Sequence, residues 1–267
     1  FERAMALSKR QRASALRWTV YGATVVVLVL VALAIDWGRL GGALFRWELI
    51  VEQFPGIITT AARNTLIFTV FGFAGGLTLG LAFALMRLST VRPYRWFASV
   101  YIEIFRGIPL LVTLLLLGFG IPIATGWQWP NTFMKGVVPL SLVAGAYMAE
   151  TIRAGIEAVP RGQMEAARSL GMSYPRAMAT IIIPQALRII VPPLTNELVL
   201  LLKDTSLISV LGVTAGSEDL ARFGKDAVNQ TANATPLVAA GLVYLVMTIP
   251  LTQLVAWMER RAKAQTR

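Results

Sequence analysis

NTLIFTVFGFAGGLTLGLAFALM, residues 64–86, carries no charged side chain in a stretch long enough to cross a lipid bilayer. About 30 Å of hydrocarbon, at 1.5 Å of rise per residue, takes roughly 20 residues of helix. Residues 18–35, 107–134 and 227–258 are likewise free of charge. A water-soluble chain of 267 residues has no use for four such runs. Lipid offers backbone N–H and C=O groups no partner, so a spanning segment is either a helix or part of a closed barrel. The runs are continuously apolar instead of alternating, which selects helices. The expected fold is therefore all-α and integral to a membrane.

Six transmembrane helices account for the pattern, at 18–36, 58–86, 98–120, 137–157, 192–212 and 236–257. Loops rich in Lys and Arg stay on the cytoplasmic side. With the N-terminus inside, eighteen of the 25 basic residues fall in inside segments, among them Arg3, Arg12, Arg87, Arg92, Arg161, Arg260 and Arg267. The outside segments hold Arg39, Arg46, Lys135, Arg222 and Lys225. Both termini are thus expected in the cytoplasm. The first helix follows basic residues, as a secretion signal does, but it is long for one and no small-residue cleavage site follows, so it is expected to be retained. Residues 36–55 form an outside loop whose Trp37 and Trp47 sit where aromatic side chains anchor at an interface. A second outside loop, 214–235, contains SEDLARFGKDAVNQ, the composition of a short surface helix.

Composition removes several function classes. The net charge of +11 is spread between the spans instead of forming a basic patch interleaved with exposed aromatics, which is a topology signal and not a nucleic-acid surface. Without cysteine there is neither disulfide nor thiolate chemistry, and without histidine the usual general base and metal ligand is missing. An intramembrane enzyme would need a paired-Asp constellation or a base beside Ser173, and the sequence offers neither. No G-x-x-x-x-G-K-[ST] phosphate loop occurs, so no nucleotide, cofactor or metal site is expected on this chain.

One polar segment interrupts the apolar pattern: EAARSLGMSYPRAMATIIIP, residues 165–184. Pro160, Arg161 and Gly162 turn the chain, 163–170 is rich in helix formers, and Gly171 suits a left-handed cap. Ser173 is placed to cap a second helix that tolerates Pro175 in its first turn and runs to Pro184. Met164, Leu170, Met172 and Tyr174 would then stand among Arg161, Glu165, Arg168 and Arg176. Exposed apolar groups rimmed by charge mark an interaction surface.

Glu165-Ala166-Ala167, three residues, Gly171, nine residues, then Ile181, one residue, Ile183 and Pro184 resembles the EAA signature of the permease subunits of bacterial ABC importers. The family commonly has leucine where Ile183 stands. YIEIFRGIPLLV (101–112), AYMAETIRAGIEAVPRGQMEAA (146–167), IIPQALRIIVPPLTNE (182–197) and LLKDTSLISVLG (201–212) are similar to importers of polar amino acids in particular. The resemblance implies a five-helix permease core at 55–260 with a coupling loop at 160–184. An inside tail, an extra helix and an outside loop precede it at 1–54, and a basic cytoplasmic tail follows at 261–267. Some members, notably among glutamate-type systems, carry such an extra helix, which leaves open a homodimer or a heterodimer with a second permease.

The resemblance also implies partners. Glu165, Ala166, Ala167, Arg168, Leu170, Gly171, Met172 and Tyr174 would dock into a groove of a separate ABC ATPase, present as a dimer, which binds the Mg-ATP that this chain does not. An extracytoplasmic binding protein would deliver a polar or charged L-amino acid, of the glutamate, glutamine, arginine or histidine type, for import by alternating access. The location implied is the bacterial cytoplasmic (inner) membrane, with lipid and no nucleic acid as partner. A secondary transporter or channel is the alternative, and it would need no coupling loop.

Ionisable residues at the centre of a span cost at least about 2.5 to 3.5 kcal/mol each on insertion scales, so they have a partner or a task. Glu150 and Asp204 both fall within the middle half of their spans. Tyr147 lies one turn before Glu150 on the same face, and Thr205 and Ser206 add hydroxyls after Asp204. A desolvated ammonium needs a carboxylate, which makes Glu150 and Asp204 the candidate partners of an amino acid's ammonium group. Structural pairing is the competing reading: Glu150 can meet Arg153 at i+3, and Lys203 or Arg188 can neutralise an acid across helices. Glu103 and Arg106, one turn apart, read as an ion pair. Asn64 and Thr65, near the outer end of their span, either line the pathway or hydrogen-bond to a neighbouring element.

Overall fold

The computed structural model describes residues 9–212, 214 and 216–264, and every regular element among them is helical. Residues 1–8 and 265–267 of the expected cytoplasmic tails, with Arg3 and Arg267, lie outside the described residues. The chain divides into two compact units, 1–47 and 48–267.

The first unit consists of α1 (Lys9–Ala34) and α2 (Trp37–Leu44). The stretch Leu16–Ala34 is apolar and wholly unburied within the chain, as expected of a helix whose solvent is lipid. Asp36 starts α2 by accepting the Arg39 N–H at 3.0 Å, and pairs with the Arg39 guanidinium at 3.1 Å. That bond satisfies an amide with no intrahelical acceptor. Trp37 folds back so that its Nε1–H donates to the Ala32 carbonyl at 2.7 Å, one of the last carbonyls of α1 and otherwise an orphan.

The second unit begins within α3 (Trp47–Gln53). A π turn at Ile57–Ala62 leads into α4 (Arg63–Leu88), followed by α5 (Arg92–Gly107), α6 (Leu110–Leu115) and α7 (Ile121–Thr125). The chain continues as α8 (Thr132–Glu157), α9 (Arg161–Ser169), α10 (Tyr174–Ala177), α11 (Ile183–Asp204), α12 (Leu220–Thr231) and α13 (Thr235–Ala264). Among the described residues, five helical stretches are long and apolar enough to span a membrane: Leu16–Ala34, Ile57–Leu88, Thr132–Glu157, Tyr174–Leu211 and Thr235–Arg261. The bent pair Arg92–Gly107 and Leu110–Thr125 makes a sixth when counted as one span.

Two sequence expectations need correction. The helix expected at 98–120 is broken, its second leg bent by 105° from the first. Ile108 is extended (φ −93°, ψ 131°) because the residue before a proline is excluded from the helical region, and Pro109 has no N–H to continue the ladder. The helix expected to end at Pro184 instead runs on from Tyr174 to Leu211 through a π turn at Met178–Ile182. In that wider turn the Ile183 N–H bonds back to the Met178 carbonyl, so Pro184 enters α11 in its first turn, where no N–H is required.

α4 and α8 form the centre. Gly72, Gly76 and Gly80 recur every fourth residue of α4 and face α8. A Cβ on Gly76 would lie 2.8 Å from the Ala144 Cβ, and one on Gly80 would lie 2.7 Å from the Met148 Cβ and 3.2 Å from the Ala149 nitrogen. Membrane helices gain little from excluding lipid, so close backbone approach over small residues is what holds such a pair. Phe68, Leu114, Leu140, Met148, Leu201 and Ile208 fill the interior around it. α5 is tied in through Tyr101, whose hydroxyl donates to the Leu142 carbonyl at 2.6 Å and whose ring stacks on Phe83 at 3.7 Å.

Candidate functional site

The break between α5 and α6 opens a cavity of about 450 Å³ against α8 and α11. Leu110, Leu140, Val143 and Leu200 make its apolar walls, and Arg106, Tyr147, Glu197 and Asp204 supply its polar groups. The bend delivers Arg106, at the end of α5, to the cavity edge, where its guanidinium lies 5.3 Å from the centre of the Tyr147 ring. Glu197 and Asp204 are seven residues apart on α11, two turns along one face. Two carboxylates and one guanidinium in a mostly apolar pocket can neutralise an ammonium and a carboxylate on the same small molecule.

A second cavity, about 470 Å³, adjoins the first and shares Arg106, Gly107 and Tyr147 with it; Arg87, Ile102, Glu103 and Glu150 line the remainder. Tyr147 therefore serves both spaces, whereas Glu150 and Asp204 line different ones. Glu150 is held by Arg153: Nε donates to Oε2 at 3.1 Å, Nη2 donates to Oε1, and Nη1 reaches Glu157. The competing reading of Glu150 as a structural pair is thus present in the geometry. Glu103 and Arg106 form no ion pair among those of the described residues, since Arg106 turns to Tyr147 instead.

The remaining pathway candidates lie away from these cavities. Thr205 is fully buried and donates to the Leu202 carbonyl at 2.8 Å, and Ser206 beside it is half-buried. Asn64 donates to the carbonyls of Gly216 and Glu218 at 2.9 and 3.0 Å, and the Thr65 hydroxyl accepts the Leu220 N–H at 3.0 Å. Both side chains thus bind the segment leading into α12. Sequence reasoning missed Glu197 and the position of Arg106. Glu197 carried a usable signal, an acid two helical turns before Asp204, but it stood among prolines that obscured the helix.

The second candidate surface is the protrusion at 160–184. α9 ends in paired hydrogen bonds, Met172 N–H to the Ala167 carbonyl at 3.1 Å and Gly171 N–H to the Arg168 carbonyl at 3.0 Å. Gly171 sits at φ +81°, the left-handed cap of a Schellman motif. Arg168 donates to the Met172 carbonyl at 2.7 Å and fastens the turn from outside. Leu170 is 84% exposed and Tyr174 58%, with Glu165, Ala166 and Gly171 exposed beside them. Met172 is half-buried, and Ala167, 1% exposed, turns its methyl inward so that it supports the surface without presenting itself. Ser173 stands at the start of α10 without a side-chain capping bond. Among the described residues no cluster of three or more acidic side chains could hold a metal ion.

Comparison with known proteins places these features in context. Residues 76–264 match the family described as "Binding-protein-dependent transport system inner membrane component". The probable glutamine ABC transporter permease protein GlnM of Bacillus subtilis is 40% identical over 200 residues, 74% of this chain and 89% of that one. The arginine transport system permease protein ArtQ of the same organism is 39% identical over 80% of this chain and 95% of its own. A solved structure of an amino acid ABC transporter with histidines superposes with a TM-score of 0.74 at 40% identity, covering 81% of this chain and 98% of the other.

Proposed function

The chain belongs to the family of binding-protein-dependent transport system inner membrane components, and we propose that it carries a polar or charged L-amino acid through the cavity between α5, α8 and α11. It is the permease subunit of an ATP-driven ABC importer of amino acids and spans the membrane several times. The observation that carries the substrate reading is the grouping of Arg106, Glu197 and Asp204 around one cavity. The acids take the ammonium and Arg106 the carboxylate, with Tyr147 between this cavity and the next.

Power comes from outside the chain. The exposed Leu170 and Tyr174, with Glu165 and Ala166, form the surface that docks an ATPase subunit, and the ATPase dimer holds the Mg-ATP. A second permease, identical or different, completes the membrane portion, and an extracytoplasmic binding protein supplies the substrate. Both termini are cytoplasmic in this reading, which the excess of basic residues in the inside segments supports. ATP binding closes the ATPases, the docked segments follow, and the cavity is exposed to one side and then the other.

The test is uptake into proteoliposomes containing the co-purified complex. Asp204→Asn and Glu197→Gln are each expected to lower uptake at least tenfold, or to raise the apparent KM, with the subunits still co-purifying. Unchanged kinetics in both variants would remove this cavity from the passage. Competition by a panel of amino acids assigns the substrate.

A further inference from the structure

The span that starts beside α9 ends at Leu211, and beyond that far end lies a carboxylate that the proposed passage leaves unused. Asp219 is 0% exposed. Its Oδ2 accepts the Ala221 N–H at 2.9 Å and the Tyr244 hydroxyl at 3.3 Å, while Oδ1 is buried with no hydrogen-bond partner. None of the ion pairs among the described residues includes it. Tyr244, on α13, is the titratable group in contact. Arg222, on α12, is engaged by Asp226 at 2.7 Å and by the Ser209 carbonyl at 3.4 Å. Glu218 precedes Asp219 in the chain, α4 brings the exposed Arg63 next to Asn64, and the turns Ile57–Ala62 and Thr205–Leu211 bring no titratable side chain.

The same place anchors the entry to α12. Asn64 grips the Gly216 and Glu218 carbonyls, Thr65 grips the Leu220 N–H, and Leu220 is fully buried against Ile57, Ala61 and Ala240. Gly212 and Gly216, at φ +66° and +83°, put two left-handed joints in the strand of chain leading there. A lone charge inside such packing is among the costliest things an interface can hold. Oδ1 is closed to solvent, which admits a proton and not a hydrated cation.

We propose that Asp219 is a proton-binding site that latches this segment: protonated, it keeps α12 docked on α4 and α13, and deprotonated it favours release. Burial pushes its pKa up to about 6 from the ordinary 3.8, against the pull of the Ala221 and Arg222 amides and Tyr244. An acid raised in the docked state stabilises that state fully below 3.8 and loses its contribution as pH rises through about 6. The transport reading enters in one respect, by placing this end on the extracytoplasmic side, where pH follows the surroundings. The measurement below does not involve transport, so it can fail while that reading stands.

Hydrogen exchange of residues 216–224 is followed in the full chain, purified with its accompanying subunits in lipid nanodiscs, from about pH 4 to about pH 8. Opening, corrected for intrinsic exchange, is expected to rise about tenfold per pH unit between 4 and 6, about a hundredfold in all, and to stay level above. Asp219→Asn is expected to remove that slope. A flat wild-type profile, or a slope kept in Asp219→Asn, overturns the proposal. Should that variant not assemble, infrared titration of the wild type is expected to show a buried carboxylic-acid C=O band that disappears near pH 6 and that Tyr244→Phe moves. No such band, or one that Tyr244→Phe leaves in place, overturns it equally.

Discussion

Gly80 and Gly162 are both helical, yet a side chain meets opposite conditions at the two. At Gly80 a Cβ would press on the Met148 Cβ and the Ala149 backbone, whereas at Gly162 nothing lies within 4 Å. Gly80→Leu is therefore expected to destabilise the α4–α8 pair by about 1 to 3 kcal/mol or more. Gly162→Ala should stabilise α9 by about 0.5 to 1 kcal/mol. Unfolding temperatures of the two variants, one falling and one rising, check this. Glu150 gives a second contrast. Its carboxylate is committed to Arg153, which Glu157 also holds, so Glu150→Gln leaves the guanidinium one acidic partner and should lower stability only modestly. It should leave the substrate KM near the wild-type value, unlike Asp204→Asn. That two acids stand inside the spans was legible in the sequence. That they face separate cavities was not, because the deciding facts, the turn of Arg106 toward Tyr147 and the Arg153 grip, depend on packing between helices.

At the scale of elements, apolar runs announced the spans, and glycine and proline announced the interruptions without fixing their form. Pro109 and Pro184 carry the same chemistry and had opposite outcomes. Pro109 follows a residue that went extended, and the chain turned by 105°. Before Pro184 the helix widened into a π turn and continued. Neighbouring packing makes that choice, which is why local sequence misjudged both. Gly171 was read correctly, since few residues other than glycine accept φ +81°. Gly171→Val should disrupt the end of α9 and lower co-purification of the ATPase several-fold, while Gly171→Asn, better suited to the left-handed region, should retain most of it. Leu170→Asp leaves the backbone intact, charges the most exposed apolar side chain of the protrusion, and should weaken the same association. Equal ATPase yield in all three variants would move the docking surface elsewhere.

For the molecule as a whole, membrane class, all-helical fold and family were readable from the sequence alone, because lipid imposes a coarse and unambiguous pattern and the segment 165–184 has the fixed spacing of the family's signature. The cavity was not readable, since it exists only where a bend, α8 and α11 converge. An importer powered by partners should show no uptake when this chain is reconstituted by itself, and ATP-dependent uptake when the ATPase is restored; uptake without ATP would favour a secondary transporter. The unbroken helical course from Tyr174 to Leu211 has a mechanical meaning. Its 38 residues, at about 1.5 Å each, could reach about 57 Å if straight. A tilt of about 5° at the Tyr174 end would sweep the far end through about 5 Å on that length. A lever needs no flexible linkage, so under the proposed mechanism a displacement too small to disrupt the protrusion's own packing would be enough to move the opposite end of the span.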